Sequence, residues 1–276
     1  MIKKSFAKVN LGLRVLNQRS DGYHNINSIF IQIDLHDTLH FISNNKFQLI
    51  SKGIIVPTDN SNTVYKVVEL LCKQFNIDIK HKIIINKNIP VGSGLGGGSS
   101  NAATAMKTLS DLYNLKISKQ DFINYTKKIG SDIPFFIEGG VKNIMGKGDI
   151  INSINPKEFK NKKILLVFPE FHISTKWAYS QIKKHLDSND NHAKFSPLAD
   201  NVNWKLFSND FENIVLKTYP EMLKIKDILY KEGALYSGLS GSGSTMFGLY
   251  NETVSLDKVK FLLSEYQTNI AFPIIQ

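Results

Sequence analysis

Residues 90–103 read Pro-Val-Gly-Ser-Gly-Leu-Gly-Gly-Gly-Ser-Ser-Asn-Ala-Ala and carry the strongest chemical signal in the chain. Five glycines fall within seven positions, Gly92 to Gly98. Without Cβ atoms the backbone there can take positive φ and turn several N–H groups toward one point. A helical pattern begins directly afterwards, so its unsatisfied N–H groups and the positive end of its dipole face the loop. Ser99 and Ser100 add two hydroxyls. Such a segment suits a di- or triphosphate, and a plain flexible turn has little need of so many glycines followed by two serines.

Known phosphate patterns narrow the reading. Residues 92–97 formally fit G-x-G-x-x-G, but a dinucleotide site also needs an acidic residue about 20 positions later at the end of a second strand. Residues 116–121 lead instead into a helix. A P-loop is excluded, because Gly98 is followed directly by Ser99 with no lysine between them. His36, Asp37 and His40 are grouped like a faint metal set, although their place in or beside a strand pattern reads as turn and edge. Cys72 is the only cysteine. It falls on a helical apolar spacing and reads as a buried, inert thiol; it allows no internal disulfide and points to a reducing, cytoplasmic setting.

The elements that must position the loop follow an α+β order. Residues 26–33 and 38–42 alternate apolar and polar side chains, as strands do. Val64, Val67, Val68, Leu71 and Phe75 repeat at helical spacing over 64–75. A β-branched run at 83–85 predicts a strand over 81–86, closed by Asn88 and Pro90. After the loop, Ala102, Ala103, Met106, Leu109 and Leu112 share one face of a helix over 100–113. A helix over 120–129 follows, and 132–141 runs through Pro134, Phe135 and Phe136 back toward a strand. A polar, lysine-rich passage at 152–163 marks a boundary between domains of 1–155 and 156–276. Beyond it lie strands at 164–168 and 245–250, helical segments around 177–185, 204–207 and 221–231, and a second glycine-rich stretch at 237–243. Residues 187–203 read as a long mobile connection.

Composition is that of an ordinary folded protein, with 42% apolar and 21% charged residues. No stretch approaches the ~20 apolar residues of a membrane span, and Lys8, Asn10 and Arg14 interrupt any signal-peptide core. A soluble chain without a membrane partner is expected. The net charge of +10, from 34 basic and 24 acidic residues, keeps nucleic-acid binding open as a competing class. The lysines, however, are dispersed as singles and pairs. A solvated surface that attracts small polyanions, with no nucleic-acid partner, is the favoured reading.

Residues 90–103 resemble the ATP loop of the GHMP kinase superfamily, which includes galactokinase and the homoserine and mevalonate kinases. Ala7-Lys8-Val9-Asn10-Leu11 followed by Asp21-Gly22-Tyr23-His24 resembles the N-terminal signature of the branch that acts on cytidine-diphospho-methylerythritol. Homoserine and mevalonate kinases lack the Asp-Gly-Tyr-His run. Gly130-Ser131-Asp132-Ile133-Pro134-Phe135-Phe136 is similar to the family's Gly-x-Asp-x-Pro-Phe-Phe segment, and residues 237–245 to its C-terminal glycine-rich motif. The resemblance implies a two-domain α+β GHMP kinase fold. Its N-terminal domain would be like ribosomal protein S5 domain 2 and its C-terminal domain ferredoxin-like, with the site between them.

The same resemblance implies phosphoryl transfer from ATP, with Mg²⁺, to a hydroxyl of that small-molecule substrate. Pro90, Val91, Gly92, Ser93, Gly94, Leu95, Gly96, Gly97, Gly98, Ser99 and Ser100 would hold the nucleotide, and Lys87 either approaches it or is solvated. Asp132 would accept the hydroxyl proton, while Lys8 keeps that carboxylate ionised and offsets charge on the transferring group. Tyr23 and His24 would meet the cytosine, with Tyr179 on the opposite face, Thr175 in the same segment and Asn10 near the substrate. Ser99 or Ser100 could reach the metal, whose ligands stay open. The competing readings are a kinase of a smaller alcohol and a basic nucleic-acid-binding protein.

Overall fold

Two long strands, β1 (Ile2–Gln18) and β2 (His24–Ser43), open the computed structural model, which describes residues 1–182 and 202–275. Both strands contribute to two units that interleave along the sequence. Unit 1 is Met1–Ala7, Leu35–Val91 and Gly96–Gly139; unit 2 is Lys8–Asp34, Gly92–Leu95 and Gly140–Gln276.

In unit 1, β3 (Gln48–Gly53) runs parallel to β4 (His81–Lys87), and β4 pairs antiparallel with the second half of β2, Thr38 opposite Asn86. Alternate residues Leu39, Phe41, Leu49, Ile83 and Ile85 are buried, as a half-covered sheet requires. Four helices complete the unit: α1 (Thr63–Phe75), α2 (Gly97–Leu112), α3 (Lys119–Thr126) and α4 (Ile133–Glu138). Asn62 caps α1 by accepting from the Val64 N–H, and Asn76 closes it in the left-handed conformation. The alanine-rich face of α2 packs against α1 and α4.

The two strand segments expected at 26–33 and 38–42 form one strand. Asp34 lies on an exposed position and Asp37 on an inward one, so the alternation continues through both acids. Asp37 is therefore neither turn nor edge. Residues 133–138 form α4 before the strand at 141. Cys72 is only partly buried.

In unit 2, the first half of β2 pairs antiparallel with β5 (Val141–Gly146), and β5 with β6 (Ile150–Ser153). A second, antiparallel sheet has the order β10-β7-β9-β8, from β7 (Lys162–Phe168), β8 (Tyr236–Leu239), β9 (Met246–Asn251) and β10 (Gln267–Ala271). With it go α5 (Thr175–Gln181), α6 (Glu212–Thr218), α7 (Pro220–Lys231) and α8 (Asp257–Leu262). Leu165, Val167, Ile225, Leu229, Leu239 and Met246 are fully buried in its core. The helix expected over 177–185 ends at Gln181; 183–185, and the connection expected over 187–203 up to residue 201, lie outside the described residues. No helix among the described residues is long and apolar enough to cross a membrane.

Candidate active site

The glycine-rich segment is divided between the units. In unit 2, Gly92 and Gly94 take φ of 65° and 80°. A Cβ on Gly94 would stand 2.0 Å from the Ser240 carbonyl oxygen, so only glycine fits there; one on Gly92 would stand 2.3 Å from Cε1 of the exposed His172 ring, which would have to move aside. The Gly94 carbonyl accepts from Lys8 Nζ at 2.7 Å and from Ser240 Oγ at 3.0 Å. Lys8 N–H donates to Leu95 O at 3.0 Å, and Thr245 N–H to Ser93 O at 3.2 Å. Three distant sequence blocks thus converge on four backbone residues. Lys8 is 3% exposed. Its ammonium also donates to Asn10 Oδ1 and lies 4.7 Å from the Phe30 ring centroid, which meets a buried cation's need for acceptors and π-electron density.

In unit 1, Gly96 starts α2 in the left-handed conformation, and no side chain caps the helix. A helix start without a side-chain cap is suited to an anion. The Ser100 hydroxyl is buried and accepts from Ser5 Oγ at 2.9 Å. Ser99 is half-buried, and its hydroxyl lies 3.8 Å from where a Cβ on Gly130 would be, so the start of α2 adjoins segment 130–132. Asp132 is half-buried at the start of α4, and its carboxylate makes no capping bond to that helix. Of the residues leading into the loop, Pro90 is half-buried and Val91 exposed.

Lys87 is not solvated. It forms an ion pair with Asp37 at 2.5 Å, and its Nζ is 2.6 Å from a Cβ built on Gly97, against the first turn of α2. Burial lowers its pKa, with Asp37 acting in the opposite direction. Asp37 Oδ1 accepts the N–H groups of Asn88 and Ile89 at 2.7 and 2.8 Å, and its Oδ2 accepts Asn101 Nδ2 at 2.8 Å. Sequence reasoning missed this anchor, although an acid at an inward position between Leu35 and Leu39 was its signal. His36 meets the Phe6 ring edge-on and His40 bonds Asn86. Among the described residues, no three His, Cys, Asp or Glu side chains are grouped to hold a metal.

Unit 2 also brings together His24 and Tyr179, whose rings stack with centroids 5.3 Å apart. Phe211 braces Tyr179 edge-on. Desolvation lowers the His24 pKa from the usual 6.5, which favours the neutral imidazole. Tyr23 presents an exposed ring with Lys147 Nζ 5.0 Å from its centroid, a neighbour that sequence reasoning did not single out. Thr175 Oγ1 shares a 2.9 Å hydrogen bond with Ser242 Oγ, tying α5 to the C-terminal glycine motif. A stacking surface with a neutral donor–acceptor ring suits a nucleobase.

The chain matches the family described as GHMP kinases N terminal domain over residues 62–140, and GHMP kinases C terminal over 192–266. It is 37% identical to the 4-diphosphocytidyl-2-C-methyl-D-erythritol kinase of Thermodesulfovibrio yellowstonii over 99% of this chain and 98% of that protein. It is 41% identical to the protein of the same name from Azobacteroides pseudotrichonymphae over 91% of this chain and 94% of the relative. A crystal structure of 4-(cytidine 5'-diphospho)-2C-methyl-D-erythritol kinase matches with a TM-score of 0.78 and 25% identity, covering 98% of each chain.

Proposed function

Because this chain belongs to the GHMP kinases, and within them to the 4-diphosphocytidyl-2-C-methyl-D-erythritol kinase family, we propose that it moves the γ-phosphate of ATP onto the 2-hydroxyl of 4-diphosphocytidyl-2-C-methyl-D-erythritol. The products are the 2-phosphate and ADP, a step of the non-mevalonate route to isoprenoid precursors. The observation that carries this acceptor is the stack of His24 on Tyr179, reached through the Asp-Gly-Tyr-His run.

Phosphoryl transfer asks a protein mainly for positioning and charge stabilisation. The acceptor oxygen attacks the γ-phosphorus, the bond to the β–γ bridging oxygen breaks, and the hydroxyl proton passes to Asp132. The N–H groups at the start of α2 and the backbone of Gly92–Leu95 hold the phosphates. Lys8 offsets charge on the transferring group, and Lys87 adds positive charge at the first turn of α2. Tyr23, His24 and Tyr179 hold the cytosine, while Asn10 and Thr175 contact the rest of the acceptor. Mg²⁺ would be held largely by phosphate and water oxygens. Ser99 would give the protein oxygen, since the Ser100 hydroxyl is engaged by Ser5; when bound, the ion neutralises β- and γ-oxygen charge.

Residues 1–155 then carry the ATP loop and Asp132, and 156–276 the C-terminal motif. The single cysteine supports the cytoplasm as location, and the dispersed lysines support anion attraction over nucleic-acid binding. The test is a coupled ADP-release assay over a panel of acceptors. Turnover is expected with the cytidylated alcohol and little with homoserine, mevalonate or galactose. Preference for one of the small alcohols would overturn the acceptor and leave the kinase class standing.

A further inference from the structure

Lys8, Asn10 and Ser28 form a buried polar chain on β1 and β2 within unit 2, at 3%, 1% and 0% exposure. Chemistry fixes the direction of each bond. The Gly12 carbonyl can only accept, so the Ser28 hydroxyl directs its single proton there, at 2.6 Å. The hydroxyl oxygen is then an acceptor for Asn10 Nδ2, at 3.1 Å. That choice sets the Asn10 amide: Oδ1 faces the Lys8 ammonium, which can only donate. The ammonium in turn donates to Gly94 O in the glycine loop.

We infer that Ser28 is a positioning residue for phosphoryl transfer: through the Asn10 amide it sets where the Lys8 ammonium stands against the glycine loop. The inference rests on the kinase reading above. The side-chain packing around Ser28 is apolar, so its hydroxyl is there for its hydrogen bonds. The neighbours of Ser28 on the same face of β2 are Ile26 and Phe30, both apolar and buried. The chain of donors begins at the cation that lies over Phe30 and touches the loop, and runs through Asn10 and Ser28 to the Gly12 carbonyl.

Ser28→Ala removes the acceptor of Asn10 Nδ2 and the donor to Gly12 O, in a place with no solvent to replace them. The amide is then released to turn, and Lys8 loses the orientation of one acceptor while keeping Gly94. The charge stays and its position relaxes. Turnover should suffer, whereas ATP binding, assigned to backbone N–H groups of the loop and α2, should not.

The experiment is a steady-state comparison of wild type, Ser28→Ala, Ser28→Thr, Asn10→Ala and the Ser28→Ala/Asn10→Ala double variant, with thermal melting on each preparation. The expected result is a fall in kcat of about tenfold for Ser28→Ala, with ATP KM within about twofold of wild type. Threonine, which keeps the hydroxyl, restores most of the rate. In the Asn10→Ala background the serine change costs less than about twofold, because the two residues act as one unit. The inference is overturned by wild-type turnover in Ser28→Ala, or by the same tenfold loss with Asn10 already removed. It is equally overturned by a joint shift of kcat, both KM values and melting temperature that threonine does not rescue, which is the mark of a purely structural bond. Wild type is first run on the acceptor panel. Turnover of a different alcohol overturns the acceptor alone, and the same cycle is then read on that alcohol; turnover of none overturns both readings.

Discussion

Asp37→Asn replaces one oxygen of a side chain that has no exposed surface. The native carboxylate accepts four donors: Asn88 N–H and Ile89 N–H on Oδ1, Lys87 Nζ and Asn101 Nδ2 on Oδ2. An amide has one oxygen and one NH₂, so whichever way it turns, the NH₂ faces two donors. Two hydrogen bonds are lost, and Lys87, at 3% side-chain exposure, loses its counter-ion. Removing one partner of a buried pair costs about 3–5 kcal/mol. At about 2–4 °C per kcal/mol for a chain near this size, Tm should fall by roughly 6–20 °C. Asn88 and Ile89 also lead into the glycine loop, so ATP KM should rise while the acceptor KM holds. The pH dependence has a definite sign. Burial already lowers the Lys87 pKa below 10.5, and losing Asp37 removes what opposes that shift. The unfolded chain then binds more protons than the folded one, so the Tm deficit shrinks as pH rises toward 10.5. Scanning fluorimetry across pH, with the coupled assay at pH 7.5, reads both effects. A Tm within about 2 °C of wild type would refute the claim that this pair anchors the loop.

Gly94→Ala forces a Cβ to 2.0 Å from Ser240 O at a φ of 80°; ATP KM should rise by about tenfold or more, and an unchanged ATP KM would mean the loop does not hold the nucleotide. Asp132→Asn should lower kcat by ~10²–10⁴-fold with Tm unchanged, and near-native turnover in the folded variant would remove Asp132 as the proton acceptor. Desolvation lowers the His24 pKa from 6.5, so the acceptor KM should stay flat down through 6.5 and climb only at more acid pH, a climb that His24→Gln abolishes; a climb already under way above 6.5, or none through the acid range, would count against His24 as the group that meets the base. Duplex DNA should bind weakly and be released by salt, as counterion release requires, and tight binding at physiological salt would reinstate the nucleic-acid reading.

The glycine loop was legible because positive φ and an uncapped helix start leave their mark directly in residue types. Helix α1 was legible because Val64, Val67, Val68 and Leu71 repeat with the helical period and are all buried. The passage between 33 and 38 misled because an acid on an inward strand position is normally unaffordable; Asp37 occupies one only because Lys87, fifty positions away, and Asn101, sixty-four away, meet it there. Strand β8 overlaps the second glycine-rich stretch, where Gly238 serves close packing, a Cβ there falling 2.3 Å from Tyr236 Oη. Helix α6 has seven residues and no side-chain cap, so neither periodicity nor punctuation announces it. Among the proposed site residues, Lys8 and Asp132 stand out in the sequence only inside their motifs. Ser28 was not readable at all, since its partners become evident only when β1 and β2 are placed together.

The bond from Ser240 Oγ to the Gly94 carbonyl closes a separation of 146 residues, and the ribosome delivers its two ends at very different times. At about 5–20 residues per second, Ser240 follows Gly94 out of the synthesis machinery by roughly 7–30 s. During that interval Lys8, Asn10 and the glycines are already made, yet neither the Ser240 hydroxyl nor the Thr245 N–H that fixes Ser93 exists. The glycine loop of the nascent chain therefore lacks two of its supports until residues 240–245 are translated. Nucleotide affinity, followed on stalled chains of increasing length, should rise as the segment carrying Ser240 and Thr245 emerges.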